Sequence, residues 1–101
     1  MAQVKWTKNA IEDIYNVMEY LRHYSDRYAE AFADKIFERT EILERFPRSG
    51  RIVPEFENEN IRELIHTSYR IVYVILAEDR LDILAVHPSA LPFGEGFLGG
   101  E

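Results

Sequence analysis

The sequence predicts an α+β domain of two layers, a helical hairpin packed on a mainly antiparallel sheet in the order strand, helix, helix, strand, strand, strand. Apolar residues recur every three or four positions from Ile11 to Phe46, then every second position from Ile61 to His87. The two helical segments are separated by only about three residues, which forces them antiparallel. With 101 residues, 47% of them hydrophobic, the chain can bury the core of one domain with one sheet and one helical layer. The reading is a single domain over residues 1–101, of which 92–101 form a Gly-rich tail expected to be flexible.

Ala2 to Trp6 alternates weakly and is read as the first strand. Thr7 is a suitable N-cap for a first helix whose stripe is Ile11, Ile14, Tyr15, Met18 and Leu21. Ser25 or Asp26 caps the second, with Tyr28, Ala29, Phe32, Ala33, Ile36, Phe37, Leu43 and Phe46 as its stripe and Pro47 and Gly50 as its stop. Trp6, Tyr15 and Phe37 are expected in the core. Ile61–His66, Tyr69–Leu76 and Leu81–His87 follow as strands, joined by Thr67-Ser68 and by Ala77 to Arg80.

A hairpin closing at Glu78-Asp79 puts Leu76 opposite Leu81, Val74 opposite Ile83 and Arg70 opposite His87, provided no bulge intervenes. That pairing gathers Val72, Val74, Leu76, Leu81, Ile83 and Ala85 on one face, and Tyr69, Ile71, Tyr73, Ile75, Leu84 and Val86 on the other. Both faces are apolar, yet one helical hairpin covers only one of them. The other needs the tail (Leu91, Phe93, Phe97, Leu98), a second copy or a partner, and a partner is the favoured cover.

Charge narrows the function classes. The net charge is −6, and it is uneven: Met1 to Gly50 has eight Lys or Arg against nine Asp or Glu, and Arg51 to Glu101 four against nine. An acidic sheet half argues against nonspecific nucleic-acid binding. There is no cysteine, hence no thiol nucleophile or disulfide, and no apolar run approaches a membrane span. A cytoplasmic protein without membrane association is expected. His23, His66 and His87 lack ligand spacing, so neither metal nor cofactor is expected.

Charged residues in so small a sheet must be paired or used. Arg62 can pair with loop acids, Arg70 with an acidic group on its own face, and His87, before Pro88, with backbone; Glu55, after Pro54, can simply be solvated.

The element order, with GRIVPE at Gly50 to Glu55, IREL at Ile61 to Leu64, YRIVY at Tyr69 to Tyr73 and ILAVH at Ile83 to His87, resembles the RelE/ParE superfamily of bacterial toxins from Trp6 to His87. The resemblance is nearest the ParE-like, plasmid-stabilisation branch. It implies the toxin of a type II toxin–antitoxin pair, neutralised by a cognate antitoxin in a hetero-oligomer, that inhibits DNA gyrase. Arg62, Arg70, Tyr73 and His87 are then the target- or antitoxin-binding residues.

The superfamily also contains RelE-like, metal-free endoribonucleases that cut messenger RNA on the ribosome. Under that alternative Glu55, Arg70 and His87 are the catalytic residues, as base, phosphate-stabilising cation and acid. The sequence departs from the ribonuclease pattern. Pro88-Ser89-Ala90 stands where basic and tyrosine residues are common, Glu57 and Glu59 would repel RNA, and Lys5, Lys8 and Lys35 are the only lysines. An inactive relative that only binds antitoxin is the third reading.

Overall fold

The computed structural model describes residues 1–94 and Phe97. Strand β1 spans Gln3–Trp6, helix α1 Lys8–Arg22 and helix α2 Asp26–Thr40, followed by a 3₁₀ turn over Glu41–Glu44. Strands β2 (Arg51–Ile52), β3 (Ile61–His66), β4 (Tyr69–Ala77) and β5 (Arg80–Pro88) complete one sheet of order β1-β5-β4-β3-β2. All neighbours are antiparallel except β1 and β5, which run parallel. The predicted fold class is therefore the observed one, with one more strand: two-residue β2 is too short to show a period.

Both predicted caps form. Thr7 Oγ1 accepts from Ala10 N at 3.2 Å and donates to Ile83 O at 2.8 Å, so one hydroxyl starts α1 and ties it to β5. Ser25 Oγ accepts from Tyr28 N at 3.2 Å to start α2. Helix α2 stops at Thr40, short of the expected Pro47, where Thr40 Oγ1 donates back to Phe37 O at 2.9 Å and the chain tightens into the 3₁₀ turn. Tyr15 and Phe37 are exposed, contrary to expectation, because Ile14 and Ile36 beside them already fill the interface with the sheet. Trp6 is half-buried and meets Phe37 edge-on, 4.8 Å between ring centroids.

The last hairpin holds two bulges. Leu76 has no partner between the pairs Ile75–Leu81 and Ala77–Arg80, and Leu84 none between Tyr73–Ile83 and Val72–Ala85. One bulge lies on each strand, so their shifts cancel and Arg70 does pair with His87. Between them the expected register is wrong: Ile83 faces Tyr73 and Leu81 faces Ile75, which turns both onto the helix-covered face.

The main core therefore joins Ile71, Tyr73, Ile75, Leu81, Ile83 and Val86 to the helices through Ala10, Ile14, Met18, Ala29 and Ile36. The second face carries Val53, Ile61, Val72 and Ala85, against which Phe56, Val74, Leu84, Phe93 and Phe97 pack. Part of its cover is thus internal, from the β2–β3 loop and the tail, rather than from a partner alone. Leu91 is exposed, while Leu98 and most of the glycines of the tail lie outside the described residues.

Candidate functional site

The second face places a carboxylate where strand parity demands an inward side chain. Glu63 shares its side of β3 with Ile61 and Ile65, and its side chain is 0% exposed. A buried carboxylate needs cationic, hydrogen-bonded partners. Arg70 Nε donates to Glu63 Oε1 at 2.5 Å, and Arg51 Nε donates to Oε2 at 2.5 Å.

Arg70 is then completed from the β2–β3 loop. Its Nη1 and Nη2 donate to the two oxygens of Glu55, both at 2.9 Å, the fork geometry that makes an arginine–carboxylate pair strong. The result is an alternating chain Arg51–Glu63–Arg70–Glu55 with no net charge. Arg70 is 9% exposed and Glu55 44%. Its hydrogen bonds to Glu55, and secondarily to Glu63, hold the Arg70 guanidinium above its ordinary pKa against the opposing effect of burial. The same bonds hold the Glu55 carboxyl below its usual range.

Aromatic rings close the site. The Phe93 ring lies over the Arg70 guanidinium, 4.3 Å from Cζ to centroid, and stacks on Phe56 at 5.3 Å. His87 sits against Phe93 and Phe97 at 4.8 and 5.2 Å, and its Nε2–H donates to Leu91 O at 3.0 Å. A backbone-bonded histidine at the strand end is what its sequence position suggested.

The three residues of the ribonuclease alternative are therefore brought to one end of the sheet: Arg70 touches Glu55 directly and pairs with His87 across the strands. Chemically the group is preoccupied. Glu55 spends both oxygens on Arg70 and is a weakened base, and Arg70 has three donors committed to carboxylates.

Arg62 and Tyr73, expected at a binding surface, lie as a cross-strand pair on the opposite face. Arg62 Nε donates to Glu59 O at 2.8 Å, and its Nη1 to Gly50 O at 3.0 Å and Arg48 O at 3.2 Å. It pairs with loop carbonyls, not with loop acids. Tyr73 is fully buried; its hydroxyl donates to Pro47 O at 2.6 Å and accepts from Gly50 N at 3.0 Å, and burial pushes its pKa up. Together they clamp the segment that leads into β2. A Cβ on Gly50 would stand 2.6 Å from both Tyr73 Oη and Glu63 O, so this position has room only for glycine.

The residues that sequence reasoning missed are Glu63 and Arg51. Carrying the strand pairing one step further, from β4 to β3, places Glu63 beside Arg70 on the same face. Arg51 carried no such signal, because β2 is invisible as a strand. Among the described residues no cluster of His, Cys, Asp and Glu could hold a metal ion, and no helix is long and apolar enough to cross a membrane.

The profile of the ParE toxin of type II toxin–antitoxin system, parDE, matches residues 4–90. The chain belongs to that family, within the RelE/ParE toxin superfamily. Toxin RelE2 of Caulobacter vibrioides is 24% identical over 90 residues, covering 89% of this chain and 98% of the relative. A chain of the chromosomal ParDE TA system from P. aeruginosa has the same fold, with a TM-score of 0.72 at 20% identity over 87% of this chain and 96% of that one. The family match takes in Arg51, Glu55, Glu63, Arg70 and His87, and stops short of Phe93 and Phe97. The alternating charged chain thus lies wholly within the family region, whereas the aromatic cap over it does not.

Proposed function

We propose that this ParE-family toxin acts by binding DNA gyrase rather than by cutting RNA, and that a cognate antitoxin neutralises it. The observation that carries the reading is the bidentate Arg70–Glu55 pair, closed by Glu63 and Arg51, in which the Arg70 charge is already met by carboxylates rather than open to a phosphorane, and both oxygens of Glu55 are held by Arg70 rather than open to a 2′-hydroxyl proton. Arg70 and His87 then serve to shape a recognition surface. Arg62 and Tyr73 support it from beneath, by fixing the segment from Pro47 to Gly50.

The test is induced expression in a bacterium with and without the neighbouring antitoxin gene, together with a supercoiling assay on purified gyrase. Filamentation, a DNA-damage response, intact messenger RNA and inhibited supercoiling are the expected results, all relieved by the antitoxin. Rapid messenger RNA cleavage that His87→Ala abolishes would overturn the reading in favour of the ribonuclease, for which the meeting of Glu55, Arg70 and His87 on one face is the supporting observation. Absence of toxicity would overturn it in favour of an inactive antitoxin binder.

A further inference from the structure

The tail that crosses the Arg70 site is held by side chains rather than by the sheet. Ser89 N donates to Ser68 O at 2.7 Å, the last backbone hydrogen bond between tail and sheet hairpin among the described residues. Beyond it, Leu91 N and Phe97 N bond locally, to Pro88 O and Gly94 O. What keeps the tail on the second face is His87 Nε2–H on Leu91 O at 3.0 Å, together with the rings of Phe93 and Phe97 packed on Phe56, His87 and each other. A segment held this way opens more readily than a strand of the ladder.

The tail covers the part of Arg70 that a partner could still use. Nε, Nη1 and Nη2 of the guanidinium each donate to a carboxylate already, which leaves its flat face as the readiest contact. Phe93 occupies that face, 4.3 Å from Cζ to ring centroid, and the same ring lies 4.8 Å from the His87 imidazole. Both residues of the proposed recognition surface thus lie against one phenylalanine. The last strand ends at Pro88 and the family match at residue 90, so the sheet and the charged chain are complete without the covering residues.

Given the reading of Arg70 and His87 as recognition residues, we propose that Leu91 to Gly94, with Phe97, form an autoinhibitory strap, and that the toxin engages its target only when Phe93 has left the Arg70 face. An aromatic or other planar side chain of the target fits the vacated place, since it makes the same contact with the guanidinium. A strap closed about nine-tenths of the time weakens the apparent affinity about tenfold. Loosening the strap therefore strengthens the toxin.

The test compares the full chain with Phe93→Ala, Phe93→Tyr and a chain ending at Ala90, each first checked for a cooperative melt. Should the shortened chain not fold, Phe93→Ala carries the test. Diethyl pyrocarbonate followed by peptide mass spectrometry reports opening: relative to the exposed His23, His87 should react up to about tenfold faster in Phe93→Ala and in the shortened chain. The same two should inhibit supercoiling by purified gyrase at about tenfold lower concentration than the parent. Phe93→Tyr keeps a ring over Arg70 and should match the parent in both measurements. Faster His87 modification with inhibition unchanged or weaker would overturn the strap and leave the gyrase reading standing. So would equal His87 modification in all four proteins, or Phe93→Tyr behaving as Phe93→Ala does. No inhibition by any of the four would overturn the gyrase reading instead; growth arrest on induced expression then decides the strap, and arrest no stronger with Phe93→Ala than with the parent overturns it.

Discussion

Replacing Arg70 by Met tests whether the alternating charged chain holds the second face together. Glu63 keeps Arg51 as a partner, but Arg51 is 59% exposed while the Glu63 carboxylate is fully buried, so one oxygen loses its hydrogen bond in a site water does not reach. Breaking a buried pair costs about 3–5 kcal/mol, and the surviving Arg51 contact argues for the lower end, about 3 kcal/mol. In a domain of this size each kcal/mol moves the melting temperature by about 4–8 °C, so Arg70→Met should melt roughly 12 °C or more below the parent. Urea unfolding followed by the fluorescence of Trp6, the single tryptophan, gives the free energy directly. The double variant Arg70→Met with Glu63→Leu removes both buried charges and frees Arg51 and Glu55, each substantially exposed, to water. It should recover to within about 1 kcal/mol of the parent. A single variant that loses less than about 1 kcal/mol, or a double variant less stable than the single, would refute the reasoning.

Three further outcomes follow from the same geometry. The Glu55 carboxyl is held below its unfolded value of about 4.3 by Arg70, so its stabilisation is complete above that pH and fades as the pH falls through the folded value; acid titration of stability should show the parent and Glu55→Gln converging at low pH and apart at neutrality. Gly50→Ala should lose about 1–3 kcal/mol in urea unfolding, because its Cβ meets Tyr73 Oη and a backbone oxygen at 2.6 Å. Phe93→Ala should lose about 1–2 kcal/mol by removing the ring over Arg70, and should speed carbethoxylation of His87, against which that ring also packs.

The helices, the three long strands and their order were legible because each has a period long enough to read and a cap or turn of the right chemistry, as at Thr7, Ser25 and Thr67-Ser68, whereas two-residue β2 has neither. Arg70 opposite His87 was legible for a less general reason: two bulges, each invisible to alternation, displace the register in opposite senses. Between them the inference failed, and Leu81 and Ile83 changed faces. Arg70 as a paired cation could be anticipated from the cost of burying it, whereas its partner Glu63 required a pairing across a second turn. Tyr73 was misplaced for a related reason. An aromatic hydroxyl on a strand suggests a surface, but here both of its hydrogen bonds go to the backbone of a loop folded over it.

The pairing of β1 with β5 has a consequence for how the chain comes into being. Strand β1 is made before the other strands of the sheet, but among the described residues its neighbour begins at Arg80, and that neighbour sits between β1 and β4. Further ties run between the same distant segments, among them Thr7 to Ile83, Asn9 Nδ2 to Leu84 O at 3.0 Å and Val86 N to Asp13 Oδ2 at 2.9 Å. A nascent chain cut before Arg80 has its helices and the β3–β4 hairpin but lacks the strand that joins them to β1. Assembly therefore waits for the last strand, as expected of contacts so far apart in sequence. A translating ribosome holds no complete sheet until β5, as far as Pro88, has been made.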